Sequence, residues 1–145
     1  MKIAIGADHA GVDLKQDLIE YIVSLGHEVE DHGTHTKDSV DYPLLAGRVA
    51  RAVRKNDADL GVLICGTGVG MSITANKFKG IRAAAVSEVF SAIASREHNN
   101  SNILCLGSRV IGLEVAKLIV KSWLGASFQG GRHQKRVELI SDFEK

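Results

Sequence analysis

Hydrophobic and polar positions along the chain follow two alternating periods, which predict five successive strand–helix units. Short apolar runs of strand length occur five times, and after each run apolar residues recur at helical spacing. The predicted strands lie at residues 2–7, 27–31, 59–65, 81–86 and 103–106. The predicted helices lie at residues 12–25, 44–55, 70–78, 88–97 and 113–124, with a last one at 132–144.

Turn and capping residues support these boundaries. Gly26 ends the first predicted helix as a C-cap, and Pro43 suits the first turn of the second. The third predicted strand is apolar throughout, as expected for a strand that is buried on both faces. The pattern predicts an α/β sandwich of three layers, in which right-handed crossovers place helices on both faces of a five-stranded parallel sheet.

Composition narrows the range of functions. The chain has 145 residues, of which 45% are hydrophobic and 24% are charged, and its net charge is +1. These values predict one domain over residues 1–145, with no charge field suited to nucleic acid or a membrane surface. No apolar run approaches the roughly 20 residues of a membrane helix. Two cysteines without an export signal predict a reducing, cytoplasmic environment.

The segment 60–71 combines an apolar strand, a glycine-rich loop and the start of a helix. Three glycines alternate with other residues across 66–70, and Cys65 stands where the strand ends. In a parallel α/β sheet, ligands bind beyond the carboxyl ends of the strands, where such a loop offers backbone N–H groups to an anion. The same N–H groups favour a thiolate, so Cys65 is a candidate base or nucleophile. A plain buried cysteine, which suits Cys105 well, is the structural alternative.

The glycine pattern excludes the common nucleotide motifs. A dinucleotide fingerprint would need a further glycine at position 71 or 73, where Met71 and Ile73 stand. A P-loop would need Gly-Lys followed by Ser or Thr, which is absent. A cysteine phosphatase loop would need arginine in place of Met71. The loop is therefore expected to bind an anion or oxyanion that is not a nucleotide phosphate, with tight packing alone as the alternative.

Two pairs of polar residues are further candidates for a site. Asp8 and His9 end the first strand, where they could contact a sugar hydroxyl and a phosphate, or could cap the following helix. His98 and Asn99 follow the fourth predicted helix. A histidine there can exchange a proton near pH 7, or it can be a solvated C-terminal cap. Both interpretations stay open for each pair.

A basic segment begins the last predicted helix. Arg132 and Arg136 are four residues apart, so a helix places both guanidinium groups on one face, where they suit a phosphate. A solvated basic helix start is the alternative, although the helix dipole disfavours cations at that end. The six histidines are scattered, and no His-x-x-x-His or Cys-x-x-Cys pair occurs, so no metal site is predicted.

Six blocks of sequence, in order, resemble ribose-5-phosphate isomerase type B over essentially the whole chain. They lie at residues 6–11, 41–43, 64–70, 80–84, 95–99 and 128–133. Among them are Gly-Ala-Asp-His-Ala-Gly, Ile-Cys-Gly-Thr-Gly-Val-Gly and Phe-Gln-Gly-Gly-Arg-His, which together are far more specific than the glycine loop alone. The wider family also contains galactose-6-phosphate isomerase subunits and allose-6-phosphate isomerases.

This resemblance implies a Rossmann-like aldose–ketose isomerase without metal or cofactor. The expected reaction interconverts ribose 5-phosphate and ribulose 5-phosphate in the non-oxidative pentose phosphate pathway. The resemblance also implies a homodimer or homotetramer in which both subunits build each site, and we expect the last helix to contribute to the dimer.

Matching positions imply a role for each site residue. Cys65 would be the base that moves a proton between C2 and C1, and His98 would open the furanose ring, with Asp8 and Thr67 nearby. The loop residues would hold the developing enediolate: Gly66, Thr67, Gly68, Val69 and Gly70. Sugar oxygens would be contacted by Tyr42 and Asn99, and the substrate, chiefly its phosphate, by His9, Arg109, Arg132 and Arg136.

Two alternatives remain at this point. A hexose 6-phosphate of the allose or galactose type would suit the same residues, and a galactose-6-phosphate enzyme of this family would need a partner subunit. A nucleotide-binding regulatory module on the same fold is the alternative from another functional class, and the two missing nucleotide motifs count against it.

Overall fold

The computed structural model describes all 145 residues and contains the five predicted strand–helix units in order. The strands are β1 (Lys2–Ala7), β2 (Glu28–Asp31), β3 (Leu60–Cys65), β4 (Ala83–Ala85) and β5 (Ile103–Gly107). The helices are α1 (Val12–Ser24), α2 (Tyr42–Arg54), α3 (Val69–Ala75), α4 (Val89–Glu97), α5 (Leu113–Gly125) and α6 (Arg132–Asp142). A short 3-10 turn, His9–Gly11, precedes α1.

The largest departure from the predicted boundaries lies between α3 and β4. The pattern predicts a helix to residue 78, but α3 ends at Ala75. The cause is Asn76, whose side chain donates to the carbonyl of Ala83 (3.0 Å) and accepts its N–H (2.8 Å). These two bonds hold the end of the helix against the start of the strand. The apolar spacing continues to Phe78, but Phe78 therefore packs against the core from a loop and not from a further helical turn.

The sheet is parallel throughout, with the strand order β2-β1-β3-β5-β4. The chain winds to one side of β1 to form β2, then crosses to the other side of β1 to form β3. This reversal opens a crevice beyond the carboxyl ends of β1 and β3, which is where sheets of this kind bind ligands. The predicted three-layer α/β architecture is confirmed.

Two apolar cores lie on opposite faces of the sheet. One joins α1, α4 and α5 to the sheet and includes the fully buried Trp123. The other joins α2 and α3 to the sheet and includes Val49 and Met71. None of the helices has both the length and the apolar character required to span a bilayer.

Candidate active site

Asp8 and Cys65 lie side by side at the crevice between β1 and β3. The backbone N–H of Asp8 donates to the carbonyl of Ile64 (3.1 Å), so β1 and β3 end at the same level of the sheet. Asp8 is 7% exposed and Cys65 is 5% exposed. Oδ1 of Asp8 accepts the N–H of Ala10 (3.0 Å) and caps the 3-10 turn. The predicted capping role is thus confirmed, and it uses only one of the two carboxylate oxygens.

The sulfur of Cys65 accepts a hydrogen bond from the backbone. The N–H of Gly68 lies 3.1 Å from Sγ. Gly68 has φ +82°, and a Cβ there would meet the backbone of Leu106 at 3.0 Å, so the loop needs glycine at this position. This bond holds Sγ of Cys65 against the start of α3.

Cys105 is chemically different from Cys65, as predicted. It lies within β5 and is fully buried. Burial raises the pKa of the Cys105 thiol, and the nearby charge of Cys65 raises it further. Cys105 therefore stays a protonated core residue, whereas the sulfur of Cys65 contacts the glycine loop.

The glycine loop presents backbone N–H groups that the chain does not use. The N–H groups of Gly66, Thr67 and Gly70 donate to no acceptor within the protein. The N–H of Val69 is held by Oγ1 of Thr67 at 3.3 Å. Unpaired N–H groups around one loop form a hole for an anion or a developing oxyanion. The predicted anion-binding loop therefore has its donors in place beside Cys65.

Tyr42 and Arg109 flank this loop. The ring of Tyr42 lies so close to Gly70 that a Cβ there would stand 2.6 Å from two ring carbons. Nη1 of Arg109 lies 3.2 Å from the position that a Cβ on Gly66 would occupy. The structure thus brings both predicted substrate-binding side chains to the loop, where glycine lets them approach.

His9 is oriented by the loop that follows β2. Its Nδ1 lies 3.2 Å from the backbone nitrogen of Val40, which makes Nδ1 the acceptor, and Nε2 has no hydrogen bond within the chain. The loop is anchored by Asp31, whose two oxygens both lie 2.7 Å from Nζ of Lys15. Burial alone would raise the pKa of Asp31. The bond from Lys15 and the N–H of Gly33 more than offset burial and lower it.

His98 and Asn99 lie at the opposite edge of the sheet. Helix α4 runs back from the carboxyl end of β4 to the amino end of β5, so residues after Glu97 stand where the strands begin. The N–H of Asn102 donates to the carbonyl of Arg82 (2.9 Å), which directly precedes β4. His98 is the C-cap of α4. His98 thus has the predicted cap position, but it is half-buried and not solvated. Its catalytic role stays a prediction.

Helix α6 packs against this same amino edge. The N–H of Gln129 donates to the carbonyl of Glu97 (3.0 Å), and the rings of His133 and His98 stack. Arg132 and Arg136 both lie in α6, four residues apart, so they share one face as predicted, and both are exposed. We name His98, Asn99, Arg132 and Arg136 the amino-edge group. Asp8, His9, Tyr42, residues 65–70 and Arg109 form the carboxyl-edge group.

One chain does not bring the two groups together. Cys65 pairs with Gly107 at the end of β5, whereas Asn102 directly precedes the same strand. At about 3.3 Å per residue, the strand separates the two edges by about 16 Å. Within one chain, His98 therefore lies far from Asp8 and Thr67. The proximity that the resemblance implies stays a prediction, and it requires the site built by both subunits that the resemblance also implies.

His133 and Lys15 are residues that the sequence analysis missed. His133 is 8% exposed, and burial lowers its pKa, as do the nearby charges of His98, Arg132 and Arg136. Its burial could have been found from the spacing of His133 and Val137, which share the inner face of α6. No sequence signal distinguishes Lys15, because a lysine in an amphipathic helix is usually solvated.

Cavities lie beside both groups. One of about 440 Å³ is lined at the amino edge by Asn99, Arg82 and Phe143, among others. One of about 260 Å³ is lined at the carboxyl edge by Thr67 and Val110, among others. The chain contains no cluster of three or more His, Cys, Asp or Glu side chains that could hold a metal ion.

Comparison with known proteins agrees with this architecture. The family model described as Ribose/Galactose Isomerase matches residues 3–140. Ribose-5-phosphate isomerase B of Escherichia coli is 55% identical over 144 residues, which is 99% of this chain and 97% of that protein. The structure of Clostridium thermocellum ribose-5-phosphate isomerase B superposes with a TM-score of 0.98 at 52% identity, covering 99% of this chain and 97% of that one. The Mycoplasma genitalium enzyme, solved with bound ribulose-5-phosphate, gives a TM-score of 0.95 at 43% identity and covers 99% and 95%. The chain therefore belongs to the ribose/galactose isomerase family of sugar-phosphate isomerases.

Proposed function

We propose that the protein interconverts ribose 5-phosphate and ribulose 5-phosphate through an enediolate, as a step of the non-oxidative pentose phosphate pathway in the cytoplasm. The observation that carries this proposal is the pairing of Cys65 with the unpaired loop N–H groups at the crevice between β1 and β3. An isomerase of this type needs a base at the reacting carbon and an oxyanion hole next to it. One loop supplies both.

The proton transfer uses a single base. The Cys65 thiolate removes the proton from C2 of the open aldose, and the electron pair forms the C1–C2 double bond while charge moves onto the former aldehyde oxygen. The N–H groups of Gly66, Thr67 and Gly70 stabilise this oxyanion. The thiol then returns its proton to C1 while the proton of the O2 hydroxyl passes to the O1 oxyanion, which yields the ketose and regenerates the thiolate. Atoms and charges balance without a metal or a cofactor.

Ring opening precedes this step, and we assign it to His98. In the furanose, a proton must leave the hydroxyl on C1 while another reaches the ring oxygen. An imidazole can accept one proton and donate the other near pH 7. Asp8 in the crevice and Thr67 on the loop, both in the carboxyl-edge group, are assigned to hold the sugar during this exchange. Asn99 and Tyr42 are assigned to sugar hydroxyls.

Each complete site takes the carboxyl-edge group of one chain and the amino-edge group of a second copy. The 16 Å separation within one chain supports this assignment, because each catalytic group must lie about 3 Å from the sugar atom on which it acts. A two-fold axis would generate two identical sites per homodimer. Helix α3 runs between the two edges and exposes Val69 and Ile73, at 51% and 58%. Helix α2, which packs against α3, exposes Leu44. We propose this apolar face as the dimer contact, and a homotetramer would pair two such dimers.

The phosphate performs no chemistry, and we assign it to cationic side chains of both edge groups. Nε2 of His9 and the guanidinium of Arg109 come from one chain, and the exposed Arg132 and Arg136 come from its partner. Two arginines on one helix face suit a phosphate. Binding energy gained there holds C1 and C2 at the base, so these contacts support turnover as well as affinity.

Incubation of the purified protein with ribose 5-phosphate, without added metal, tests the proposal. We expect ribulose 5-phosphate to form until equilibrium is reached. Absence of turnover by a folded dimer would refute the function. Sedimentation equilibrium would test the assembly separately, because a catalytically active monomer would refute the shared site but not the reaction.

The alternative substrate is a hexose 6-phosphate of the allose or galactose type, since the description of the matching family model includes galactose. Comparison of kcat/KM for ribose, allose and galactose phosphates ranks the three. A chain that acts on galactose 6-phosphate only together with a different subunit would favour the galactose alternative.

A further inference from the structure

We propose that His133 is a positioning residue that holds the His98 ring in place by parallel stacking and joins it to the helix that carries Arg132 and Arg136. The inference rests on the proposed function, in which His98 opens the furanose ring. It concerns a residue that neither supplies a proton nor touches the sugar.

The stacking geometry is well defined. The two ring centroids are 4.2 Å apart, and the ring planes deviate from parallel by 10°. His133 is buried on the inner face of α6, and its neighbour Val137, one turn later, is buried too. Gln129 adds a second attachment, because its backbone N–H donates to the carbonyl of Glu97 and its side chain donates to Oε2 of Glu97 (3.1 Å). The start of α6 is thus docked on the end of α4 at the position of His98.

No hydrogen bond within the chain orients the His98 ring. The backbone N–H of His98 donates to Ala94 (2.8 Å), whereas neither ring nitrogen has a partner in the protein. A carboxylate or carbonyl in contact with the ring would occupy one nitrogen. Ring opening uses both, because one accepts a proton while the other donates one. Face-to-face stacking fixes the ring plane and leaves both nitrogens to the sugar, which is the arrangement that this chemistry requires.

The charges around His133 favour its neutral form. Two stacked imidazolium rings would repel each other, so the pair holds one proton more readily than two. Burial lowers the pKa of His133, and the charges of His98, Arg132 and Arg136 act in the same direction. Glu97 is the one carboxylate on the facing element, and its Oε2 is engaged by Gln129. His133 therefore serves as an uncharged aromatic platform, and the proton in transit belongs to His98.

This role is tested with His133→Ala, which removes the ring, and His133→Phe, which keeps an aromatic face but cannot titrate. Gln134→Ala, an exposed position on the same helix, is the matched control. We expect His133→Ala to lower kcat for ribose 5-phosphate by about tenfold or more, because a misplaced catalytic group commonly loses that much. His133→Phe should restore kcat to within about threefold of the control, and KM should change little in either variant.

A second assay separates ring opening from proton transfer. Ribulose 5-phosphate carries its phosphate on O5, the oxygen that would close a five-membered ring on C2, so it is acyclic. Exchange of its C1 hydrogen with D2O needs Cys65 but no ring opening. We expect this exchange to persist in His133→Ala at more than half of the control rate, and to disappear in Cys65→Ala.

Each other outcome would overturn the inference. Equal loss of both reactions in His133→Ala would make His133 a purely structural residue, and full retention of ribose 5-phosphate turnover would make the stack irrelevant. Loss in His133→Phe as large as in His133→Ala would mean that a nitrogen of His133 takes part. The stack itself is read without substrate from the ring-current shift of the His98 Hε1 proton in NMR spectra. This shift should vanish in His133→Ala and persist in His133→Phe, so the stack remains testable even if wild-type protein fails to isomerise ribose 5-phosphate.

Discussion

Two inactive variants should restore each other when they are mixed. Cys65→Ala removes the base from the carboxyl-edge group, and His98→Asn removes the ring-opening group from the amino edge. Each homodimer then has the same defect in both sites. In the mixed dimer, one site receives both substituted residues, whereas the other receives Cys65 from one chain and His98 from its partner.

The expected magnitude follows from the geometry. Gly107 lies five residue steps after Asn102 along β5, about 16 Å at strand rise, so His98 and Cys65 of one chain serve different sites. Random association of equal amounts makes about half of the dimers mixed, and each mixed dimer has one intact site of two. The mixture should therefore reach about a quarter of wild-type activity with ribose 5-phosphate.

The assay requires subunit exchange, which co-expression or brief mild denaturation of the mixed homodimers provides. Cys65→Ala mixed with Asp8→Asn is the control, because both changes lie at the carboxyl edge and every site in the mixed dimer keeps one defect. The shared site would be refuted if the first mixture stayed inactive after proven exchange, or if the control recovered equally.

Two further predictions concern the cysteines and the buried lysine. Iodoacetamide should inactivate the wild-type enzyme by alkylating Cys65, which mass spectrometry checks; alkylation of Cys105 instead would contradict the assignment. Cys65→Ala should retain ribose 5-phosphate binding, measured by calorimetry, without turnover. Lys15→Met should lower the free energy of unfolding by about 1–3 kcal/mol, less than for a fully buried partner, because the carboxylate of Asp31 is 29% exposed. Since the pKa of Asp31 is lowered in the fold, its pairing stabilises above the ordinary value of 3.8 and is lost as pH falls below it. The difference between wild type and Lys15→Met in urea titrations should therefore shrink below about pH 4, and a constant difference would refute the ion pair.

Local patterns predicted the elements well because each element carries its own physical signal. The period of apolar residues distinguishes strand from helix, and Gly26 (φ +94°) follows the end of α1 as expected. The signal failed at Asn76, where a side chain bonded to Ala83 ends the helix early. Such a bond joins positions seven apart across a turn, and no periodicity reports it.

The carboxyl-edge group could be predicted to share one edge of the sheet, whereas the position of the amino-edge group could not be derived from strand ends. Cys65 and Asp8 were expected at one sheet edge because both end parallel strands, and the structure places them together. His98 ends a helix that runs against the strands, so it reaches the other edge. Strand order could not be predicted from the sequence either, because a helical crossover can place β3 on either side of β1. The resemblance implies a site that both subunits build, but no physical signal in the sequence indicates which side chains a second chain would supply.

The shallow attachment of α6 has a consequence for the order of folding. Of its eleven residues, only His133 and Val137 are buried, so this helix gains little apolar contact within its own chain. Elements with few buried contacts open at low free energy. We expect the sheet and its two cores to form first and α6 to become firmly ordered only when a second chain covers it. A newly made subunit would then be folded yet inactive, and catalysis would begin at the moment of pairing.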